Sequence, residues 1–494
     1  MRALVGPPPD TSQFVLFGWV SPPAESTTRA RIDEMAGLGF NLLLPAWLDE
    51  GCPDDNLARL DWAAADGMRC LIWDSRLMGA RQWLPTFEDT LNEVTAAYRD
   101  HPGLWGYYLG DEPPRDLWPL LSRLRESLRG RDPTHPGWNT LLGRSSFVSG
   151  DDYLAQLRDY ADTVHPPILS DDFYSFRQSG DDPRFVENLA GLRDVAAAHG
   201  LPFWDIVLLV QHVDYRALTH GELRWEVTQC LAHGSHGIGY FTYWTPDPDS
   251  ALDWHPAIID HDGRRTEWYD FLAGFDVGVR AAGETLARSR RIRTVYTGLV
   301  PSKGDAFTPD DWIESLQGPA VVGEFAGHGG ERLVLLGNCD SLNAHPFHVY
   351  TRDASGARLL AGGSAPSLTV ETAPLSAVLT VSIAAGDFAL IELGEPLIRP
   401  RVTTAPNPAA NRVTFSILDR LGHSAFEIRD LAGRIVWTDR QPGNAREVVW
   451  DGRRTDGRRA PPGIYFARLV GGRIDFGAPR EPDAAARFVW LGSR

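Results

Sequence analysis

From residue 14 to about residue 285 the chain alternates between short apolar runs and longer segments whose apolar residues recur every three or four positions. The short runs have strand length: Phe14–Trp19, Phe40–Pro45, Met68–Trp73, Leu104–Gly110, Trp138–Leu142, Ile168–Phe173, Leu201–Val210 and Gly237–Tyr243. Between them, helical periodicity predicts helices over Glu25–Leu38, 54–66, Thr86–Arg99, 116–129, 151–163, Pro183–His199, Thr219–His233 and 264–287. Gly39, Gly130 and Gly200 stop three of them. Eight strand–helix pairs in about 270 residues match the count and size of a (β/α)8 barrel. A doubly wound open sheet shares the alternation, but no glycine-rich phosphate loop follows the first strand, where a nucleotide-binding form would carry one.

After residue 290 the helical period disappears. Short alternating runs replace it at Glu331–Asn338, Phe347–Thr351, Ser367–Val370, Ala377–Ser382 and Phe388–Leu393, punctuated by Gly, Pro, Asp and Asn. This is a β-sandwich pattern. A second break, Glu395-Pro-Leu-Ile-Arg-Pro400, precedes further strand-like runs at Arg412–Ile417, Ala425–Arg429, Arg434–Trp437, Arg446–Trp450, Gly463–Leu469 and Arg487–Leu491. The fold class expected is therefore α/β, a TIM barrel over 1–290 followed by two β-sandwich domains over 291–397 and 398–494.

Charge and composition narrow the partners. A net charge of −17 over 494 residues argues against a nucleic-acid backbone or an anionic membrane surface. No run approaches the length of a membrane span. The first residues, Met-Arg-Ala-Leu-Val-Gly-Pro-Pro-Pro, hold no apolar signal core, which suits either a mature exported form or a cytosolic start. The four cysteines form no CxxC pair, and Cys70 and Cys230 sit in apolar segments, as inert core thiols do. The chain carries 17 tryptophans. In an acidic chain, tryptophans near loops suit stacking on flat, weakly charged ligands such as sugars; the alternative is that most are core.

In a parallel barrel the carboxyl ends of the strands form the active face. Those ends deliver Trp19, Trp47, Trp73 beside Asp74, Asp111 with Glu112, Asp171 with Asp172 and Tyr174, Gln211 with His212, and Tyr243 with Trp244. Carboxylates mixed with aromatic, amide and imidazole groups are what glycoside hydrolysis needs, two acids flanking the anomeric carbon and flat rings for the sugar faces. Glu112 is the candidate general acid, because a carboxyl among Trp and Tyr beside a second acid should hold its proton to higher pH. The alternative is an acid pair capping the helix near Arg115-Asp116. Asp172 is the candidate second carboxylate, since only one of two adjacent strand residues faces the lumen; the alternative pairs it with Arg177. Asp111 is the third catalytic candidate. Trp19, Trp47, Trp73, Tyr174, Gln211, His212, Tyr243 and Trp244 are the expected substrate contacts. Glu222 reads as part of a capping box, Thr219-His-Gly-Glu222, and Glu267 likewise as structural. His233-Gly-Ser-His236 is too compact for a helical zinc pair, and neither a GxSxG elbow nor a Walker loop occurs, so neither metal nor cofactor is expected.

Gly110-Asp111-Glu112-Pro113 resembles the Asn-Glu-Pro of the large clan of TIM-barrel retaining glycoside hydrolases, in which that Glu is the acid/base. Ser170-Asp-Asp-Phe-Tyr174 is similar to the clan's sixth-strand His-x-Tyr, and Tyr240-Phe-Thr-Tyr-Trp244 to the eighth-strand segment ending in a stacking Trp. The chain looks more closely like a little-characterised bacterial group of such barrels, through His101–Pro114, Asp172–Ser175, Glu222–Trp244 and Asp262–Tyr269. The resemblance implies a glycosidase acting on a β-linked oligo- or polysaccharide. Two departures stand out. Asp111 and Asp172 replace the clan's Asn and His, and the seventh-strand nucleophile Glu is absent, Leu201–Gln211 offering only Asp205 and Gln211. Three options follow: Glu112 acts with Asp172 across the mouth; Asp111-Glu112 works as in substrate-assisted hexosaminidases, the Asp orienting an acetamido group; or the barrel is a degenerate, non-catalytic carbohydrate-binding surface protein. A non-glycosidic hydrolase or lyase is a further reading. Carboxyls of Glu112 and Asp172 more than about 12 Å apart, with no other acid in the mouth, would remove two-carboxylate hydrolysis.

Val321-Val-Gly-Glu-Phe325, Leu333–Asn338 and Gly386–Leu393 resemble the accessory sandwich behind such barrels. Pro406-Asn-Pro408, Ile428–Arg434, Trp450-Asp-Gly452, Pro462–Arg468 and Arg487–Arg494 resemble the hook-capping immunoglobulin-like and secretion-sorting domains. That resemblance implies a secreted or cell-surface protein, attached through its C-terminal domain.

Overall fold

The apolar run at the start becomes β1 (Val15–Trp19), buried along its whole length. The computed structural model describes residues 13–45, 53–81, 83, 86–144, 150–247, 251–351, 356–373, 376–394, 401–418, 423–439, 447–471 and 485–492. Strands β2 (Leu42–Leu43), β3 (Arg69–Ile72), β4 (Leu104–Tyr108), β5 (Gly137–Trp138), β6 (Leu141–Leu142), β7 (Leu169–Asp172), β8 (Phe203–Leu208) and β9 (Gly237–Phe241) follow. The helices are α1 (Arg29–Gly37), α2 (Pro53–Ala65), α3 (Phe87–Tyr98), α4 (Trp118–Arg131), α5 (Gly150–Val164), α6 (Phe185–His199), α7 (His220–His233) and α8 (Glu267–Ala287).

Two parallel arcs run in the orders β2-β3-β4-β5 and β6-β7-β8-β9-β1. β5 and β6 are the ends of a single strand position, interrupted at Asn139-Thr140. Asn41 joins the arcs on the other side. Its backbone N–H donates to Leu16 O at 3.0 Å, its Nδ2 donates to Phe14 O at 2.7 Å and its Oδ1 accepts from the Leu16 N–H at 2.8 Å. Eight parallel strand positions in cyclic order, each with an outer helix, fit a TIM barrel.

Aromatic rings fill the lumen. Phe17, Trp138 and Trp204, from β1, β5 and β8, lie with centroids 5.5–6.3 Å apart, a meeting that strands on opposite walls permit only across the interior. Between β1 and β8, β9 carries Gly237 and Gly239 at its inward positions. A Cβ on Gly237 would lie 2.6 Å from the Trp204 ring, and one on Gly239 would lie 2.4 Å from Phe17. The alternation places 237, 239 and 241 inward and 238 and 240 outward, where the Tyr240 hydroxyl donates to Asp276 of α8 at 2.6 Å.

Antiparallel strands begin at Arg290. Arg290–Tyr296, Ala320–Ala326, Arg332–Asn338 and Phe388–Leu393 are successive antiparallel neighbours in a six-stranded sheet, and a four-stranded sheet accompanies it. This region shares its core with the barrel. Tyr296, Val321, Phe325 and Leu333 belong to the same buried cluster as the barrel residues. The Tyr296 hydroxyl donates to Gln229 of α7 at 2.8 Å. The main division between compact units falls instead at Leu393–Gly394. The second unit has two antiparallel sheets around Phe415, Phe426, Trp450, Tyr465, Phe488 and Trp490. Both antiparallel regions are consistent with β-sandwiches. No helix among the described residues is long and apolar enough to cross a membrane.

Candidate active site

Beyond Tyr108 the chain passes through Gly110, with φ of 123°, to Glu112, with φ of 39°. Glycine takes the first conformation readily. A non-glycine residue held in the left-handed region costs on the order of 1–3 kcal/mol and persists only where its surroundings enforce it. Pro113 and Pro114 stiffen the turn, and the Trp118 indole N–H of α4 donates to Pro113 O at 3.0 Å. Val20 after β1 and Val213 after β8 are also left-handed, with φ of 56° and 48°. Strained backbone thus gathers on three loops of one barrel face.

That turn sends Glu112 across the mouth to Asp172 at the end of β7. Their carboxyls lie close enough to shift each other's titration directly, Glu112 downward and Asp172 upward. Two carboxylates placed so near repel when both are ionised, so the pair favours holding one proton. Asp172 Oδ2 also accepts from the Tyr174 hydroxyl at 3.4 Å. Burial raises the pKa of all three mouth acids. Asp111 is pushed up to about 7 by burial and then by the Glu112 charge. Glu112 is raised by burial, against which its interaction with Asp172 works. Asp172 is held well above the carboxylate range by burial, then by the charges of Glu112 and Asp111. Asp111 and Glu112 are reached by water from the mouth while Asp172 is half-buried, so the shared proton rests on Asp172 in the free protein. Asp171 faces the other way. It accepts from Tyr153 of α5 and from Asn188 Nδ2 of α6 at 3.0 Å, and lies in register with Asp205 of β8. Asp205 is thus beneath the helices and outside the mouth.

Aromatic walls flank the acids. On one side Trp19, Trp73 and Tyr108 pack edge to face, with Trp19–Tyr108 and Trp73–Tyr108 centroids 5.7 and 6.0 Å apart. Together with Asp111 they line a cavity of about 370 Å³. On the other side Tyr174 stacks on Phe241 at 5.5 Å and meets Tyr215 edge-on at 5.3 Å. His212 stacks on Trp254 at 4.3 Å. Its Nδ1 donates to Val210 O at 3.0 Å, and burial lowers its pKa, so the ring is neutral with Nε2 as an acceptor. Arg177 lies over the Tyr215 ring, 5.0 Å from its centroid.

Among solved structures the chain is similar to a family 5 glycoside hydrolase from Bacteroides vulgatus ATCC 8482, at 13% identity over 77% of this chain and 89% of that one with a TM-score of 0.49. It is similar to a family 39 glycoside hydrolase from the gut symbiont Bacteroides cellulosilyticus WH2, at 12% identity over 78% and 82% with a TM-score of 0.48. It is also similar to xylanase 10B from Thermotoga maritima, at 10% identity over 57% and 98% with a TM-score of 0.39. No protein-family model matches the chain, and neither does any curated protein.

The mouth brings together Glu112, Asp172, Asp111, Trp19, Trp73, Tyr174 and His212. Gln211 is half-buried beside them, its carbonyl accepting from the His255 N–H at 3.0 Å. Trp47 lies outside the described residues. Tyr243 and Trp244 are corrections. Tyr243 is fully buried, against Phe40, with its hydroxyl donating to Glu34 of α1 at 3.2 Å. Trp244 lies beneath the Arg31 guanidinium, 5.3 Å from the ring centroid. Strand parity is the reason: Phe241 is the last inward residue of β9, and the chain beyond it turns toward α1. Asp74 is held by Arg76 and the Tyr98 hydroxyl and its pKa is lowered, so it is structural. Glu222 caps α7 in the expected box and binds Arg216 at 2.7 Å. Sequence reasoning missed Tyr108, Tyr215, Phe241 and Trp254, and considered Arg177 only as a partner of Asp172, whereas it lies over the Tyr215 ring. Parity counted from Gly237 and Gly239 signals Phe241; Tyr215 and Trp254 lie in loops without periodicity. Among the described residues no group of three or more His, Cys, Asp or Glu is placed to hold a metal ion.

Proposed function

We propose that the protein is a glycoside hydrolase whose working pair is Glu112 and Asp172. The supporting observation is the direct interaction of the two carboxyls at the barrel mouth, which pushes Glu112 toward ionisation and Asp172 toward protonation. One shared proton makes one acid and one carboxylate, the complement that cleavage of a glycosidic bond uses. A sugar ring entering between Tyr174–Phe241 and Trp19–Tyr108 parts the two groups. As the ring enters, the proton passes from Asp172 to Glu112, which donates it from the water-reached side to the departing oxygen. Asp172, enclosed, becomes the carboxylate that meets the anomeric carbon. Carboxyls that interact directly suit the roughly 5–5.5 Å spacing of retaining enzymes better than the roughly 6.5–9.5 Å of inverting ones, where a water must fit. Retention is therefore the stereochemistry proposed.

The test uses Glu112→Gln and Asp172→Asn on a panel of β-glycosides with good and poor leaving groups. Glu112→Gln should lose at least about a hundredfold on alkyl glycosides and far less on dinitrophenyl glycosides, which leave without a proton. Asp172→Asn should lose activity on both. NMR of the first product formed reads the anomer. Wild-type turnover by either variant on alkyl glycosides removes that residue from its role. Sugar binding without turnover by the native protein moves the reading to a non-catalytic carbohydrate-binding barrel.

A further inference from the structure

The cavity beside Asp111 does not end at the aromatic wall. It runs on between the segment after β3 and helix α4, where Leu44, Leu77, Met78, Leu117, Leu120 and Leu124 line it. Among the described residues Asp111 is the one charged member of the lining; the others are aliphatic, aromatic, proline or glycine. Such an arm is wrong for a second sugar. Each hydroxyl moved into it would lose its water partners and find no protein partner, at a cost that decides against binding. A methylene chain loses nothing by the same transfer and gains about fourfold in affinity for each added carbon. At about 370 Å³ the cavity falls within the range of small-molecule sites. It opens at Asp111, the neighbour of Glu112, and at Trp19 and Tyr108, so on the proposed mechanism it receives the part of a bound glycoside that lies on the proton donor's side of the scissile bond.

We infer that the arm binds the aliphatic aglycone of the substrate, so that the preferred substrates are glycosides of alkyl chains, a class that includes glycolipids. This rests on the glycosidase reading above, and the test separates the two. Binding of n-alkanols from butanol to octanol is followed by tryptophan fluorescence, which Trp19 and Trp73 should report. In parallel, hydrolysis of n-alkyl β-glycosides from methyl to octyl is measured with the native protein. Dissociation constants for the alkanols, and KM for the glycosides, should fall severalfold with each added carbon until the arm is full. Met78→Glu, at a position 42% exposed and so tolerant of charge, should flatten that dependence at least tenfold at octyl and leave the methyl glycoside unchanged. Leu120→Glu, at a half-buried position, should do the same. Absence of chain-length dependence in the native protein, or its persistence in both variants, overturns the inference whether or not glycosides are cleaved. Chain-length-dependent alkanol binding with no cleavage of any glycoside leaves the arm standing and overturns the hydrolase reading instead.

Discussion

Replacing Asp111 by Asn removes a charge and keeps the shape. In the native protein Asp111 is neutral below about pH 7 and ionised above it. Once ionised it stands next to Glu112 and raises the pKa of Asp172. The size of that field follows from Coulomb's law. Taking carboxyls of adjacent residues as roughly 6 Å apart, with an effective dielectric constant between about 20 and about 80 at this water-reached mouth, the interaction is about 0.7–3 kcal/mol. This corresponds to about 0.5–2 pH units. The sign is fixed: a neighbouring negative charge holds protons on, so its loss lets the Glu112–Asp172 pair give up its shared proton at lower pH. The basic limb of kcat/KM for Asp111→Asn should therefore move acidward by about half to two pH units. The plateau on the acid side, where native Asp111 is already uncharged, should stay within about twofold. Raising salt from low to about 1 M should shrink the displacement by screening. An unmoved limb, or one moved to higher pH, refutes the electrostatic account. Collapse of the acid plateau by orders of magnitude on N-acetylhexosaminides alone points instead to Asp111 orienting an acetamido group.

Three further outcomes follow from the same geometry. Gly110→Ala meets no atom within 4 Å of the added Cβ, so its cost is conformational, about 1–3 kcal/mol by thermal melting, with at least a tenfold loss of kcat as Glu112 is displaced; unchanged stability and turnover would show that the turn is not held at Gly110. Trp138→Ala empties the centre of the lumen plug and should cost about 3–5 kcal/mol in urea unfolding; under about 1 kcal/mol would mean that the wall collapses freely. Asp205→Asn addresses pH. Burial lifts Asp171 from 3.8 in the unfolded chain to about 6 and Asp205 well above its ordinary value. A raised acid stabilises the fold below its unfolded pKa and loses that contribution as pH rises through the folded one, so the native protein should be less stable at pH 8 than at pH 5 from this pair. Asp205→Asn should narrow that gap by about 1 kcal/mol or more, and a gap left unchanged would mean that the pair is not protonated on folding.

The barrel was legible because strands buried on both faces are continuous apolar runs, and the outer helices carry a separate period. Where that physics failed, so did the pattern. Arg290–Tyr296 reads as solvated, with arginines at three of its first four positions, yet it is a strand, because Arg293 pairs with the buried Glu324 at 2.6 Å. Asn139 and Thr140 interrupt the fifth strand position because Asn139 Oδ1 accepts from the Tyr160 hydroxyl of α5 at 2.7 Å, a bond that no local periodicity announces. Tryptophan was the least readable residue type. Trp138 and Trp204 plug the lumen, Trp118 packs on Tyr160, and Trp450 and Trp490 fill the second unit's core. Only position relative to a strand end separates those from Trp19 and Trp73.

The acids tell the same story from the other side. Position along β4 and β7 marked Asp111, Glu112 and Asp172 as candidates, but the approach of Glu112 to Asp172 depends on a left-handed residue, which composition cannot show. That contact also changes the meaning of the missing seventh-strand glutamate. The inward positions of β8, Ile206 and Leu208, are apolar and fully buried. The three acids already in the mouth each have a raised pKa, so a fourth carboxylate there would push all of them higher and leave the site with protons and no ionised partner. With Asp172 paired to Glu112, an apolar end to β8 keeps one carboxylate available. On the proposed function, the departure from the glycosidase pattern is therefore compatible with this pair.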